Sequence, residues 1–145
     1  MAVSGSCLCG AVRFELSGEP VWSHHCHCSR CRKTRGTHFA TNVFFPLDAL
    51  RFTQGEERTR AYRPPGAERF THVFCETCGC TLPFRNPGRN MVVVPVGSLD
   101  DDPHFEPRAH IYVGSKPDWS EVDDGLPRHV EALDSPQVDG AGSAR

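Results

Sequence analysis

The sequence predicts a mainly β domain, and three observations carry that prediction. Short runs alternate large apolar residues with polar ones, as in Val12-Arg13-Phe14-Glu15-Leu16, and a period of two belongs to half-buried strands. Proline and glycine punctuate the runs at Ser17-Gly18-Glu19-Pro20, Pro64-Pro65-Gly66 and Asn86-Pro87-Gly88, which is turn chemistry. Helical spacing is scarce: only Ser29 to Arg35, polar and basic and closed by Gly36, fits one or two helical turns with a glycine C-cap.

In chain order, residues 1–6 read as a lead-in. Cys7-Leu8-Cys9-Gly10 follows; on extended backbone a C-x-C turns both side chains to one face, so Cys7 and Cys9 can share one ion. Val12 to Leu16 is the first strand. Val21 to His25 leads into Cys26-His27-Cys28-Ser29-Arg30-Cys31, which packs three thiols into six residues. From Thr37 the pattern is extended again, through THFATNVFF, ALRFTQG and RTRAYR, as in a meander of short strands. Arg69 to Phe74 delivers the chain to Cys75-Glu76-Thr77-Cys78-Gly79-Cys80, whose C-x-x-C-Gly has the shape of a zinc knuckle. Met91 to Val96 reads as a buried strand in which Pro95 hints at an edge or bulge. Asp100-Asp101-Asp102 reads as a solvated acidic turn, and His110 to Val113 as a last short strand.

Composition bounds the function. At 145 residues the chain is expected to be one domain, and 38% hydrophobic with 23% charged residues fits a soluble globular protein. Sixteen basic against eighteen acidic residues predict no general affinity for nucleic acid. The longest apolar run, Met91 to Val96, is far too short for a membrane span. The start, MAVSGSCLCGAVRF, has neither a basic nor an apolar leader region. Eight cysteines at C-x-C and C-x-x-C spacing therefore point to reduced thiols holding metal in a cytoplasmic protein, rather than to disulfides.

The thiols divide by spacing. Two pairs separated by a long insertion make a closed structural zinc site, and Cys7 and Cys9 with Cys75 and Cys78 fit that scheme. Cys26, Cys28 and Cys31 are three ligands with the fourth position undecided, the pattern of a catalytic zinc. Cys80 leaves alternatives open: it can close the second site, reach a neighbouring ion, or be a small buried residue. His24, His25 and His27 flank the triad as structural or orienting groups, and His27 alternates with the cysteines and should point away from them. Arg30, Arg32, Lys33 and Arg35 form either a solvated basic turn or a rim that binds substrate carboxylates.

At these residues the chain resembles the glutathione-dependent formaldehyde-activating enzyme family, which includes centromere protein V. The resemblance runs through Gly5-Ser6-Cys7-Leu8-Cys9-Gly10-Ala11-Val12, His25-Cys26-His27-Cys28-Ser29-Arg30-Cys31-Arg32-Lys33, Phe74-Cys75-Glu76-Thr77-Cys78-Gly79, Val96-Gly97-Ser98-Leu99-Asp100 and His110-Ile111-Tyr112-Val113. It covers roughly residues 3–130, taken as the domain, with 131–145 as a flexible tail. It implies an Mss4-like fold of short antiparallel strands with two zinc ions, structural on Cys7, Cys9, Cys75 and Cys78 and catalytic on Cys26, Cys28 and Cys31. The implied activity is that of a carbon–sulfur lyase joining a glutathione-like thiol to an aldehyde. The family more often carries a small polar residue where this chain has Cys80, and the departure bears on whether the second site is open. The rival readings are a non-catalytic, zinc-stabilised binding module with both sites closed, and a metal carrier or thiol sensor.

Overall fold

The computed structural model describes residues 2–138. Its elements are, in order, β1 (Ala2–Ser6), β2 (Arg13–Ser17), β3 (Trp22–Cys26), helix α1 (Ser29–Arg35), β4 (Ala40–Pro46), β5 (Leu50–Gln54), β6 (Thr59–Tyr62), β7 (His72–Cys75), β8 (Phe84–Asn86), β9 (Met91–Pro95) and β10 (His110–Ile111). Short strands dominate, mostly paired antiparallel, and this is the mainly β class expected. The chain forms two compact units. One takes the chain up to Trp22 together with Val43–Phe105; the other takes Ser23–Asn42 together with the chain from Glu106 onward.

The first unit holds the apolar core. β2 alternates as its sequence demands: Phe14 and Leu16 face in, while Arg13 and Ser17 are exposed. It pairs with β1 on one side and β5 on the other. β9 contributes Val92 and Val94, the later part of β4 adds Val43 and Phe45, and Leu50 and Leu82 complete the packing. Each such side chain contributes roughly 1.5–3 kcal/mol on burial. β9 lies between β4 and β8 rather than at an edge, and Pro95 is its last residue, where a missing N–H ends the strand before a 3-10 turn at Val96–Ser98.

The lead-in proves to be a strand. β1 has one large apolar residue, Val3, and no visible alternation, because its partner supplies the bulk: Gly5 lies opposite Phe14, whose ring fills the space a Cβ would need. The acidic turn is not merely solvated either. Asp101 accepts bonds from the Ser4 backbone N–H at 2.8 Å and its hydroxyl at 2.6 Å, and Asp100 accepts from the Ser6 hydroxyl at 2.9 Å. These bonds hold the Asp101 carboxyl below the usual carboxylate range.

Gly55 fixes a close approach in the same unit. Its φ is +71°, and a Cβ there would stand 2.1 Å from the Ala11 carbonyl oxygen, an atom of backbone that cannot rotate away. Gly55→Ala is therefore expected to cost about 2 kcal/mol or more, from overpacking together with left-handed strain, measured as a shifted urea midpoint. An unchanged midpoint would refute this reading of the contact.

The second unit is built differently. β10 runs parallel to β3, with His110 opposite His25 and Ile111 opposite Cys26, and within the unit the strand order is β10-β3-β4. Its buried residues include His24, His27, His110 and His129, so its interior relies on hydrogen bonds rather than aliphatic packing. The predicted helix forms at Ser29–Arg35, with Gly36 left-handed at its C-cap. Residues 131–138 of the expected tail are tied back, by Tyr112 N–H to the Glu131 carbonyl, Val130 N–H to Pro136 and Val138 N–H to Arg128. The rest of that tail, 139–145, lies outside the described residues.

Candidate metal centres

Two groups of thiols are drawn together by turns. In the first unit Cys7, Cys9, Cys75 and Cys78 place their sulfurs within 4.8 Å of one another. Cys7 and Cys9 do not lie on extended backbone as the C-x-C spacing predicts. They sit in a turn, closed by the Gly10 N–H on the Cys7 carbonyl at 2.9 Å, with Gly10 at φ +74°. The β6–β7 hairpin delivers Cys75, and Gly79 at φ +71° closes the next turn by donating its N–H to the Cys75 carbonyl. The sulfurs of Cys7 and Cys9 are 3.6 Å apart and those of Cys9 and Cys75 3.9 Å. A zinc ion about 2.3 Å from each sulfur of a tetrahedron sets edges of roughly 3.8 Å, so the group has the dimensions of a four-thiolate zinc site. Burial opposes charge on Cys78, but backbone N–H groups of Cys80 and Cys9 point at its sulfur and bring its thiol down to about 6.

The second unit holds Cys26, Cys28 and Cys31, again within 4.8 Å. Their local origin is simple. Cys26 ends β3, Cys28 is the N-cap of α1, and Cys31 lies in the first helical turn, so the change from strand to helix wraps three sulfurs about one point. The Cys28 sulfur accepts the Cys31 backbone N–H at 3.4 Å, doing the work an N-cap oxygen usually does. Bonds from the other two thiols hold the Cys28 thiol far below its ordinary value, while Cys26, which shares protons with both neighbours, is pushed far above. Cys28 is the half-exposed sulfur of the three, with Cys26 and Cys31 only 4% and 8% exposed.

Cys80 belongs to neither group. It lies in the first unit, where its sulfur faces the Thr81 carbonyl at 3.5 Å and burial raises its thiol above the ordinary value. The four basic residues separate into kinds. Arg32 donates to the carbonyls of His27 at 3.0 Å and Ser115 at 3.2 Å, and Arg35 donates to the Asn42 side chain at 3.1 Å. Arg30 and Lys33 are exposed. Arg32 and Lys33, with Gly36, Thr37, His38 and Trp119, line a shallow depression of about 580 Å³.

The histidines make a connected chain that spacing did not reveal. His27 is fully buried and directs Nε2 to His110 Nδ1 at 2.8 Å, and His110 Nε2 meets the Asp124 carboxylate at 2.8 Å. His27 thus packs with His110 and Phe39 rather than with the thiols, as its alternation predicts. Burial and the neighbouring His110 push His25 down to about 4. No spacing marks His110 or Asp124; the parallel pairing of β3 with β10 brings His110 to His25, and Asp124 reaches His110 from a later loop.

A mainly β fold with two compact thiol groups, each of a size for one ion, gives the chain two candidate thiolate metal centres. Comparison with known proteins places the chain in a family. The profile of the family described as glutathione-dependent formaldehyde-activating enzyme matches residues 2–115, and the chain belongs to this family. A Halomonas elongata protein named for the same activity is 36% identical over 134 residues, covering 85% of this chain and 82% of its own. The crystal structure of a Rhodobacter sphaeroides protein is similar with a TM-score of 0.55 at 29% identity, over 72% of this chain and 92% of that one. No helix among the described residues is long and apolar enough to cross a membrane.

Proposed function

We propose that this chain is a cytoplasmic, zinc-dependent carbon–sulfur lyase that joins a glutathione-like thiol to an aldehyde, or cleaves their adduct. Cys7, Cys9, Cys75 and Cys78 would hold a structural zinc, and Cys26, Cys28 and Cys31 a second zinc at the reaction centre. The observation that carries this reading is a triad of sulfurs compact enough for one ion, with Cys80 outside the group. When bound, zinc supplies a Lewis acid that keeps a substrate thiol ionised at neutral pH.

The chain's own residues supply the rest. Cys28, half-exposed where Cys26 and Cys31 are buried, is the one through which the centre meets solvent. Lys33 and Arg32 give the neighbouring depression a positive rim, and a tripeptide thiol carries carboxylates that such a rim attracts. Arg32 and Arg35 already serve the fold through their bonds to His27, Ser115 and Asn42, so Lys33 and Arg30 are the freer contacts. In the forward direction the thiol sulfur bonds to the aldehyde carbon, the carbonyl π bond breaks, and the thiol proton ends on oxygen; cleavage is the reverse. Holding thiol and aldehyde side by side supplies much of the acceleration.

The test mixes zinc-loaded protein with glutathione and ¹³C-formaldehyde and follows S-hydroxymethylglutathione by exchange NMR. Interconversion should be faster than in buffer and return to the buffer rate for Cys31→Ser. A rate equal to buffer for the unaltered protein, across a panel of thiols and aldehydes, would leave the closed binding module as the better reading.

A further inference from the structure

The proposed reaction leaves one cluster of the second unit without a role: His25, His110 and Asp124. Parallel pairing of β3 with β10 sets His25 directly beside His110, with ring centroids 4.7 Å apart and planes 33° apart. Asp124 completes the group, and one ligand atom from each of the three lies within 4.8 Å of the others. Successive residues of a strand face opposite sides, so His25 leaves β3 on the face away from Cys26, and the cluster does not share the sulfur face.

We propose that His25, His110 and Asp124 form a third metal site, which takes a borderline divalent ion such as Zn²⁺ or Co²⁺ on two imidazole nitrogens and one carboxylate oxygen. The proposal stands whether or not the lyase reading does. Its strength lies in the groups behind the ligands. His25 Nδ1 is engaged by the Thr41 hydroxyl at 2.9 Å, which leaves Nε2 for an ion. His110 Nδ1 is engaged by His27 Nε2 at 2.8 Å, and its Nε2 faces Asp124 Oδ2 at 2.8 Å, so an ion would take the place of the proton between those two atoms. Asp124 Oδ1 accepts the Leu126 N–H at 3.1 Å, which holds the carboxylate with Oδ2 turned to His110. Metal-binding histidines and carboxylates are oriented by such outer hydrogen bonds, and here all three candidates have one.

The donor set selects the ion. Two imidazoles and a carboxylate suit borderline first-row ions, whereas sulfur ligands are what select a soft cuprous ion. Access is one-sided: His110 is fully buried, whereas the Asp124 side chain is 42% exposed and opens the group to solvent. Three protein ligands leave further positions for water, the arrangement of an exchangeable site rather than a closed one.

Cobalt titrated into protein whose thiol groups already hold zinc tests this. A further equivalent should bind saturably, with weak visible absorption and without the near-ultraviolet bands of cobalt on sulfur. Asp124→Ala should weaken that binding at least tenfold, and Thr41→Val, which removes only the bond behind His25, by about 10–100-fold. Both variants should keep the zinc content and thermal midpoint of the parent. Absence of a saturable further equivalent, equal affinity in Asp124→Ala, or uptake accompanied by sulfur bands would each overturn the third site.

Discussion

Cys78→Ser is expected to unfold the first unit, lowering the thermal midpoint by roughly 20 °C or more and reducing bound zinc by one ion per chain. The expectation follows from where the sulfurs sit. Cys7 and Cys75 are 3% and 0% exposed and belong to the apolar core itself, packed with Val12, Phe14 and Leu82. Without an ion, these two buried thiols, with half-buried Cys78 and exposed Cys9 beside them, would bury charge or leave polar groups poorly matched. The group also joins distant stretches of chain. Cys9 and Cys75 are 66 residues apart, and closing a loop of that length removes about 4 kcal/mol of chain entropy from the unfolded state. Structural zinc contributes about 10–16 kcal/mol in small zinc-dependent peptides, as much as the whole stability of an ordinary domain. Removal of zinc by a strong chelator should reproduce the effect. A Cys78→Ser protein that melts within a few degrees of the parent and keeps its full zinc would show that these sulfurs do not carry the fold.

The parts of this arrangement that were legible in the sequence are those fixed by local chemistry. Cys28-Ser29-Arg30-Cys31 with Gly36 specifies a short capped helix without help from the rest of the chain, and the helix forms with those limits. Gly79 after C-x-x-C specifies a turn for the same reason. Where partners decide, the sequence was silent or misleading. Ala2–Ser6 shows no strand pattern, since its apolar surface comes from Phe14 across the sheet. The Cys7–Cys9 segment read as extended, but Gly10 at φ +74° turns it. The basic residues of α1 were visible as charge, yet Arg32 and Arg35 bond to the chain itself, which only folded neighbours reveal. His110 stands in a stretch that carries the family resemblance but has no spacing that assigns it a role, and Asp124 stands in no motif. Residues 83 apart in sequence, His27 and His110, meet through parallel pairing, and no local period encodes that register.

Cys31→Ser should behave in the opposite way to Cys78→Ser: the fold stands, the thermal midpoint moves by only a few degrees, and kcat/KM falls at least about a hundredfold, some 2.7 kcal/mol of transition-state stabilisation. The reason is the different support of the two groups. None of Cys26, Cys28 and Cys31 belongs to the apolar core cluster, and the strand and helix that carry them are held by their own backbone bonds. Serine at position 31 keeps the backbone N–H that Cys28 accepts, so the cap of α1 survives while a soft ligand is lost. Cys80→Ala supplies the decisive contrast. With the Cys80 sulfur turned to the Thr81 carbonyl, its removal should leave zinc content, thiol uptake and turnover unchanged. Loss of the second zinc in Cys80→Ala would mean that this sulfur closes the site, and the catalytic reading would give way to the closed binding module. Retention of zinc in Cys80→Ala, with its loss in Cys31→Ser, would leave the second ion on three protein sulfurs and one outward position, which is what thiol chemistry at this centre requires.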